Sequence, residues 1–237
     1  MAHPSWRPPS SPPPFSHTSR AHRYNEVFQR KSGAGAPPLG TVAELLAPYG
    51  TAHYLVPNVN HPESVALMAA HDTDLLVLAN TRVVKPAVLA VPRCTSMNAH
   101  AAYLPTHDPR HASPSPGGYI RGALVFMFAL ARNEPCAVTL HHVAEALDAG
   151  DIVDSMAVPV ARGDDLEDVV AKVVTVTADL WQRGVVEWDG STEGIKQDAS
   201  LMLDATCMRG PQGDAQIELF DAANAHLKNQ TYKWFAA

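Results

Sequence analysis

From residue 40 onward, short apolar runs alternate with segments in which apolar residues recur at helical spacing. The apolar runs are continuous, without the strict every-second-residue pattern of a sheet that has one face in solvent. Continuous runs are typical of strands that are buried on both faces. The alternation therefore predicts an α/β domain with a Rossmann-like, mostly parallel or mixed sheet and helices on both faces.

The predicted elements cover most of residues 41–183. Strands are predicted at Ala52 to Val56, Asp74 to Asn80, Ser96 to His100, Ala137 to Val143 and Ile152 to Val160. Helices are predicted at Thr41 to Tyr49, Pro62 to His71, Lys85 to Val91, Tyr119 to Arg132 and Asp164 to Arg183. Gly50 is expected to end the first helix, and Asp164 or Asp165 to cap the last. Prolines and glycines in residues 107–118 predict a long surface loop.

The two ends of the chain differ in composition from this central part. Residues 1–39 are rich in proline and polar side chains, so they bury too little apolar surface to offset the entropy of ordering. We predict a disordered tail at 1–39, an α/β domain at 40–188 and a short C-terminal appendage at 189–237. The proline density of the tail argues against the amphipathic helix of a transit peptide.

Charge and cysteine content exclude several classes of protein. The formal net charge of −6 gives no electrostatic reason to bind nucleic acid. No apolar run reaches the roughly 18–20 residues that a membrane span requires. The three cysteines are far apart and form no C-x-x-C pair, which favours a reducing compartment and thus a cytoplasmic protein.

The chemically informative residues lie near the ends of two predicted strands. Asn98 and His100 are two residues apart, so they point to the same side of a strand. In open α/β sheets ligands bind at the carboxyl ends of the strands. The alternative is purely structural: an asparagine that caps the next loop and a half-buried histidine that is satisfied by the protein.

A second group of polar residues surrounds the segment Leu147-Asp148-Ala149-Gly150. Taken alone, this segment indicates a turn before a strand, in which Gly150 supplies the turn geometry. His141 and His142 precede it. Because neighbouring residues on a strand face opposite sides, these histidines do not form a metal-binding pair, and no metal site is predicted.

The ordered set of segments resembles the family of formyltransferases that use 10-formyltetrahydrofolate. The matching segments are Asp74 to Asn80, the loop 81–84, Asn98-Ala99-His100, Leu104-Pro105, and Val138 to His141 running to Leu147-Asp148-Ala149-Gly150. The resemblance covers roughly residues 40–183. It departs from the family pattern in Ala102 and Tyr103, and residues 1–39 contain no recognisable first strand–helix unit of the family fold.

The resemblance implies roles for particular residues. The catalytic residues would be Asn98, His100 and Asp148: the first two stabilise negative charge on the formyl oxygen, and Asp148 assists proton transfer from the amine. The folate would be bound by Asn80, Thr81, Arg82, Val83, Val84 and His141.

The implied reaction is transfer of a formyl group from 10-formyltetrahydrofolate, as co-substrate, to an amine of a small molecule such as an amino sugar. The alternatives are a formyltetrahydrofolate hydrolase, a protein like methionyl-tRNA formyltransferase, and a catalytically inactive homologue. Hydride chemistry is not expected, because no G-x-G-x-x-G loop follows a strand. The sequence leaves the acceptor and the oligomeric state open.

Overall fold

A computed structural model of the chain describes residues 44, 46–79, 81, 83–191, 193–202, 210 and 214–236. The predicted tail at 1–39 lies outside the described residues. In chain order the strands are β1 (Leu75–Leu78), β2 (Thr95–His100), β3 (Ala137–His142) and β4 (Ile152–Ala157). The helices are α1 (Pro62–Ala69), α2 (Pro86–Leu89), α3 (Val125–Ala131), α4 (Leu166–Val186) and α5 (Asp214–Lys228).

The four strands form one sheet in the order β1-β2-β3-β4. Strands β1 and β2 run parallel, whereas β3 is antiparallel to both β2 and β4. The α/β class is confirmed, and the sheet is mixed: one of its three described strand pairings is parallel. Within the described residues no strand precedes β1.

Helix α4 shows how the sequence pattern produces both a helix and its buried side. Asp165 accepts a hydrogen bond from the Asp168 backbone N–H, and the Asp168 side chain accepts one from the backbone N–H of Asp165. This capping box satisfies amides that would otherwise lack partners at the helix start. The residues that face the sheet are Val169, Val170, Val173, Val176 and Leu180, all buried. The predicted helix and its cap at Asp165 are confirmed.

The predicted strand at Ala52 to Val56 is wrong. These residues belong to no strand and are exposed; Leu55 is 79% exposed. A strand needs a partner for its backbone groups and a covered face for its side chains. Residues 51–56 have neither among the described residues, so this segment does not form a strand.

The predicted helix at Tyr119 to Arg132 begins later than expected, at Val125. Gly122 and Leu124 both have positive φ angles, 111° and 54°, which a right-handed helix excludes. Residues 119–124 instead form a loop that reaches the end of β2. The predicted helix at Thr41 to Tyr49 lies partly outside the described residues; Ala47–Tyr49 forms a 3₁₀ turn that Gly50 ends at φ 63°.

The C-terminal helix α5 shares the core of the sheet domain. Ala223 and Leu227 are fully buried in the same apolar cluster as α3 and α4. After α5, Tyr232 is also buried there, and its hydroxyl donates to the carbonyl of Glu134 at 2.9 Å, just before β3. Residues 214–236 therefore stabilise the start of a central strand.

None of the helices in the described part of the chain combines the length and the apolar character needed to cross a membrane.

Candidate active site

The register of β2 and β3 places the predicted polar residues on one face of the sheet. Asn98 lies opposite His141, and His100 lies opposite Thr139. Residues paired across two strands share a face, as do residues two apart on one strand. Helix α4 covers the other face, where Gly184 approaches Leu140 so closely that an added Cβ would lie 2.1 Å from Leu140 Cδ2. The first face therefore carries an amide and two imidazoles together.

Asp148 reaches this face from the loop between β3 and β4. Its φ of 51° lies in the left-handed region, which an aspartate tolerates better than most residues. The Gly122 backbone N–H donates to its Oδ2 at 2.9 Å. The same oxygen lies 3.5 Å from Nδ1 of His100, and the carboxylate is only 8% exposed. The loop between β3 and β4 thus delivers a buried carboxylate to the end of β2.

His100 is held at both ring nitrogens. Its Nε2 lies 2.7 Å from the carbonyl oxygen of Ile120, and a carbonyl only accepts, so Nε2 carries a hydrogen and donates. Its Nδ1 faces Asp148. The two nitrogens of the His100 ring therefore each face an oxygen, the Ile120 carbonyl at Nε2 and the Asp148 carboxylate at Nδ1. The side chain is 4% exposed, so His100 holds the Asp148 loop and the 119–124 loop together.

His141 has a defined tautomer. Its Nδ1 lies 2.7 Å from the carbonyl oxygen of His142 and must donate to it. Burial, and to a lesser extent the nearby His100, lowers the pKa of His141 well below its ordinary value. The ring is therefore neutral at pH 7, and its Nε2 is an acceptor. The Asn98 Nδ2 donates to this nitrogen at 3.2 Å.

Two polar groups remain available for a ligand. The Asn98 amide has two N–H groups, and His141 occupies one. The Asp148 Oδ1 lies 3.9 Å from Nε2 of His141 and accepts no hydrogen bond from the described residues. A hydrogen-bond donor can bind the oxygen of a substrate carbonyl. A nearby carboxylate oxygen can accept the proton of the group that attacks that carbonyl.

Gly150 is required by close packing. The sequence indicated that it supplies turn geometry, but the left-handed residue of this loop is Asp148. A Cβ at Gly150 would lie 1.8 Å from the carbonyl oxygen of His142, which is backbone and cannot move aside easily. That carbonyl accepts the hydrogen bond from Nδ1 of His141, so Gly150 makes room for the contact that orients His141.

The predicted folate loop follows β1 at the same end of the sheet. Leu78, the last residue of β1, pairs with Asn98, so the loop begins beside the polar cluster. Val83 is 71% exposed. Asn60 holds the loop by donating to the carbonyl of Val83 at 3.0 Å and accepting from the backbone N–H of Lys85 at 2.7 Å.

Of the other predicted loop residues, Thr81 is exposed and Val84 is half-buried. Thr81 lines a cavity of about 290 Å³ together with residues 56–59. Asn80 and Arg82 lie outside the described residues.

The structure thus brings Asn98, His100, His141 and Asp148 together. Sequence reasoning missed the groups that hold them, which are the carbonyl of Ile120, the N–H of Gly122 and the side chain of Gln197. The first two are backbone groups that carry no side-chain signal. Gln197 lies in the segment that was predicted to be an appendage.

A mixed sheet that carries a half-buried amide, buried imidazoles and a buried carboxylate at one end defines a Rossmann-like α/β domain with a candidate acid–base site. The chain belongs to the formyl transferase family, whose sequence model, described as Formyl transferase, matches residues 20–183.

The curated relatives that match the chain include methionyl-tRNA formyltransferases. The methionyl-tRNA formyltransferase of Staphylococcus aureus (strain JH1) is 25% identical over 206 residues, which cover 86% of this chain and 56% of the relative. The chain spans about half the length of the curated relatives it matches.

Two solved structures share the fold. A formyltransferase from Anoxybacillus kamchatkensis has a TM-score of 0.50 and 16% identity, covering 73% of this chain and 82% of its own. The phosphoribosylglycinamide formyltransferase of Streptococcus pneumoniae TIGR4 has a TM-score of 0.50 and 22% identity, covering 62% and 79%.

Proposed function

We propose that this chain transfers a formyl group from 10-formyltetrahydrofolate to an amine of a small molecule such as an amino sugar. The observation that carries the proposal is the cluster around Nε2 of His141, which the Asn98 amide approaches to 3.2 Å and the Asp148 carboxylate to 3.9 Å. Membership of the formyl transferase family supports the reaction class. The Anoxybacillus relative was solved in complex with tetrahydrofolate and a UDP-linked formamido sugar, which supports both substrates.

The proposed chemistry begins with attack of the amine nitrogen on the formyl carbon. Negative charge builds on the formyl oxygen, and the second N–H of Asn98 stabilises it. Asp148 Oδ1 takes the proton that the amine loses, directly or through one water. The bond between the formyl carbon and the folate nitrogen then breaks, Asp148 passes its proton to that nitrogen, and tetrahydrofolate leaves.

His100 has two parts in this proposal. In the structure it holds Asp148 through Nδ1 and the 119–124 loop through Nε2. To donate to the formyl oxygen, Nε2 would exchange its hydrogen bond from the Ile120 carbonyl to the substrate. This exchange keeps the contact between Nδ1 and Asp148. A protonated His100 would then stabilise the oxyanion, while the Asp148 carboxylate balances the positive charge of the imidazole ring.

The loop 81–84 is the proposed site for the pterin of the folate. It follows a strand whose end is level with Asn98, and ligands of α/β sheets bind at such ends. The exposed Val83 supplies apolar contact. Asn60, by bonding both sides of Val84, would hold the loop backbone in place for hydrogen bonds to the pterin edge.

A small amine is proposed as the acceptor in preference to tRNA. The net charge of −6 is unfavourable for a phosphate backbone. A panel of amino-sugar nucleotides, simple amines and aminoacylated tRNA, each supplied with 10-formyltetrahydrofolate, would identify the acceptor. Release of tetrahydrofolate is followed in every case.

The proposal is tested with the variants Asn98→Ala and Asp148→Asn. Each is expected to lower kcat by about 10²–10⁴-fold, the range for loss of an oxyanion donor or a positioned base. The control is His226→Ala, because His226 lies near the end of α5 and makes an exposed contact with Thr231. The kcat of this variant should stay within about twofold of wild type.

The outcomes separate the alternatives. Tetrahydrofolate released without any amine indicates a hydrolase. A folded wild-type chain that binds the folate in calorimetry but releases no tetrahydrofolate with any acceptor contradicts the proposal and indicates an inactive homologue.

A further inference from the structure

A segment outside the part that matches the family contacts the loop that carries Asp148. Residues 193–198, here called the strap, follow α4 and precede the 3₁₀ turn Ala199–Leu201. Ile195 exchanges two backbone hydrogen bonds of 2.8 Å with Ile152, the first residue of β4. A Cβ at Gly194 would lie 2.8 Å from both the Cβ of Asp151 and the carbonyl oxygen of Ile152. The strap is therefore fitted closely against the end of the 148–151 loop.

Gln197 makes three hydrogen bonds from the strap. Its Nε2 donates to the carbonyl oxygens of Asp148 at 2.9 Å and Gly150 at 2.6 Å. Its Oε1 accepts from Nη2 of Arg121 at 2.6 Å. Both N–H groups of the amide and its oxygen are thus used. One side chain joins the loop that carries Asp148 to the loop that follows β2.

These contacts close a ring of hydrogen bonds that includes the Asp148 carboxylate. Gln197 holds the backbone of Asp148 and the side chain of Arg121. The next residue after Arg121, Gly122, donates its N–H to the Asp148 carboxylate. The two loops are therefore tied together at two points, once through backbone carbonyls and once through the carboxylate.

The left-handed φ of 51° at Asp148 is seldom adopted by residues other than glycine, although aspartate tolerates it better than most. A conformation of this kind persists only where the surroundings determine it. Two hydrogen bonds to the carbonyls on either side of Ala149 restrain the peptide groups of this loop.

We propose that Gln197 is a positioning residue of the site: it holds the loop 148–151 so that the carboxylate of Asp148 faces His100 and the substrate. The role rests on the proposed function, in which Asp148 accepts the proton of the amine. Gln197 acts through Asp148 and does not touch the reacting atoms. The strap is thus part of the active site, although it lies beyond the matched residues 20–183.

The test compares Gln197→Ala and Gln197→Glu with the wild-type chain. The first removes all three hydrogen bonds. The second keeps the size of the side chain and an acceptor for Arg121, but an ionised carboxylate has no hydrogen to donate to two carbonyls. Both variants are expected to lower kcat by about 10–100-fold while KM for the folate donor changes less than about threefold, because binding at residues 81–84 is intact.

Amide hydrogen exchange gives a readout that does not depend on activity. Both variants should speed exchange at Gly122, whose N–H bonds to the Asp148 carboxylate, and leave α4 unchanged. The matched control is Gln182→Ala, which removes a glutamine from the exposed surface of α4. It should resemble wild type in kcat and in exchange.

Two results would overturn the proposal: a kcat within twofold of wild type in both Gln197 variants, or unchanged exchange at Gly122. A different result contradicts the proposed function: a wild-type chain that shows neither formyl transfer nor hydrolysis. In that case the exchange at Gly122 still shows whether Gln197 holds the loop.

Discussion

At the scale of single residues, the site depends on a chain of donors and acceptors. The carbonyl of His142 accepts from Nδ1 of His141, and Nε2 of His141 in turn accepts from the amide of Asn98. Each hydrogen bond fixes the orientation of the side chain that makes the next one. The chain ends in the second N–H of Asn98, so a neutral His141 sets the direction in which Asn98 presents its remaining donor.

The protonation of His141 predicts a dependence of stability on pH. Its folded-state pKa is lowered, chiefly by burial. The unfolded chain therefore takes up this proton as the pH falls below about 6.5, while the folded chain resists it. The stabilisation from this group is complete above pH 6.5 and is lost as the pH falls towards the folded-state pKa.

His141→Gln removes this titration, so the gap in unfolding free energy between wild type and variant should shrink as the pH falls from 7.5 to 5.5. Urea unfolding of both proteins at several pH values measures the gap. Titrating groups remote from His141 are common to both proteins and cancel in the difference. A gap that stays constant over this range would show that His141 titrates normally in the folded state.

At the scale of elements, the loop between β3 and β4 is shaped by close packing against the end of β3. Gly150 lies where any Cβ would collide with the His142 carbonyl. Gly184 has a comparable part on the other face, where α4 meets Leu140. Two glycines therefore allow two different elements to approach one strand, one at its end and one on the face that α4 covers.

Gly150→Ala is expected to lower the free energy of unfolding by about 1–3 kcal/mol, because the added methyl overlaps backbone that cannot move aside. It should also lower formyl transfer, since the displaced His142 carbonyl orients His141. Urea unfolding and the tetrahydrofolate assay measure the two effects.

Gly210→Ala serves as the matched control for this change. An added Cβ at Gly210 would lie 3.5 Å from the Cβ of Ala123, an ordinary contact distance. Its effect on stability should stay within about 0.5 kcal/mol. Equal effects of the two glycine substitutions would contradict the packing argument.

At the scale of the whole molecule, the C-terminal residues stabilise the central sheet. The Tyr232 hydroxyl donates to the Glu134 carbonyl and accepts from the N–H of Cys136 at 3.1 Å. Burial is the main cause that raises the pKa of this hydroxyl, so it stays protonated and can donate. It bridges the chain end and the residues that lead into β3.

Tyr232→Phe removes this hydroxyl and leaves the buried N–H of Cys136 and the half-buried carbonyl of Glu134 without it. The expected loss of unfolding free energy is about 1–3 kcal/mol. Tyr54→Phe is the control, because Tyr54 is 50% exposed and, among the described residues, its hydroxyl bonds to the exposed His71. Urea unfolding compares the two; a loss no larger for Tyr232→Phe than for Tyr54→Phe would contradict the predicted bridge.

The sequence by itself determined what depends on local periodicity. The spacing of apolar residues indicated α4, and Asp164 or Asp165 was expected to cap it; the structure shows the cap at Asp165. The spacing of two between Asn98 and His100 placed both on one face of β2. The order of motifs indicated the family, which the family match confirms. It also implied a role for Asp148, which stays a prediction.

Only the tertiary structure decided the strand directions and the contacts that hold the site. Apolar strands look alike whether they run parallel or antiparallel, so the antiparallel β3 was not evident. The contact between Gly122 and Asp148 spans 26 residues, and that between Gln197 and Gly150 spans 47. Such contacts depend on the path of the whole chain, because local patterns determine which face a residue occupies but not which distant group will meet it.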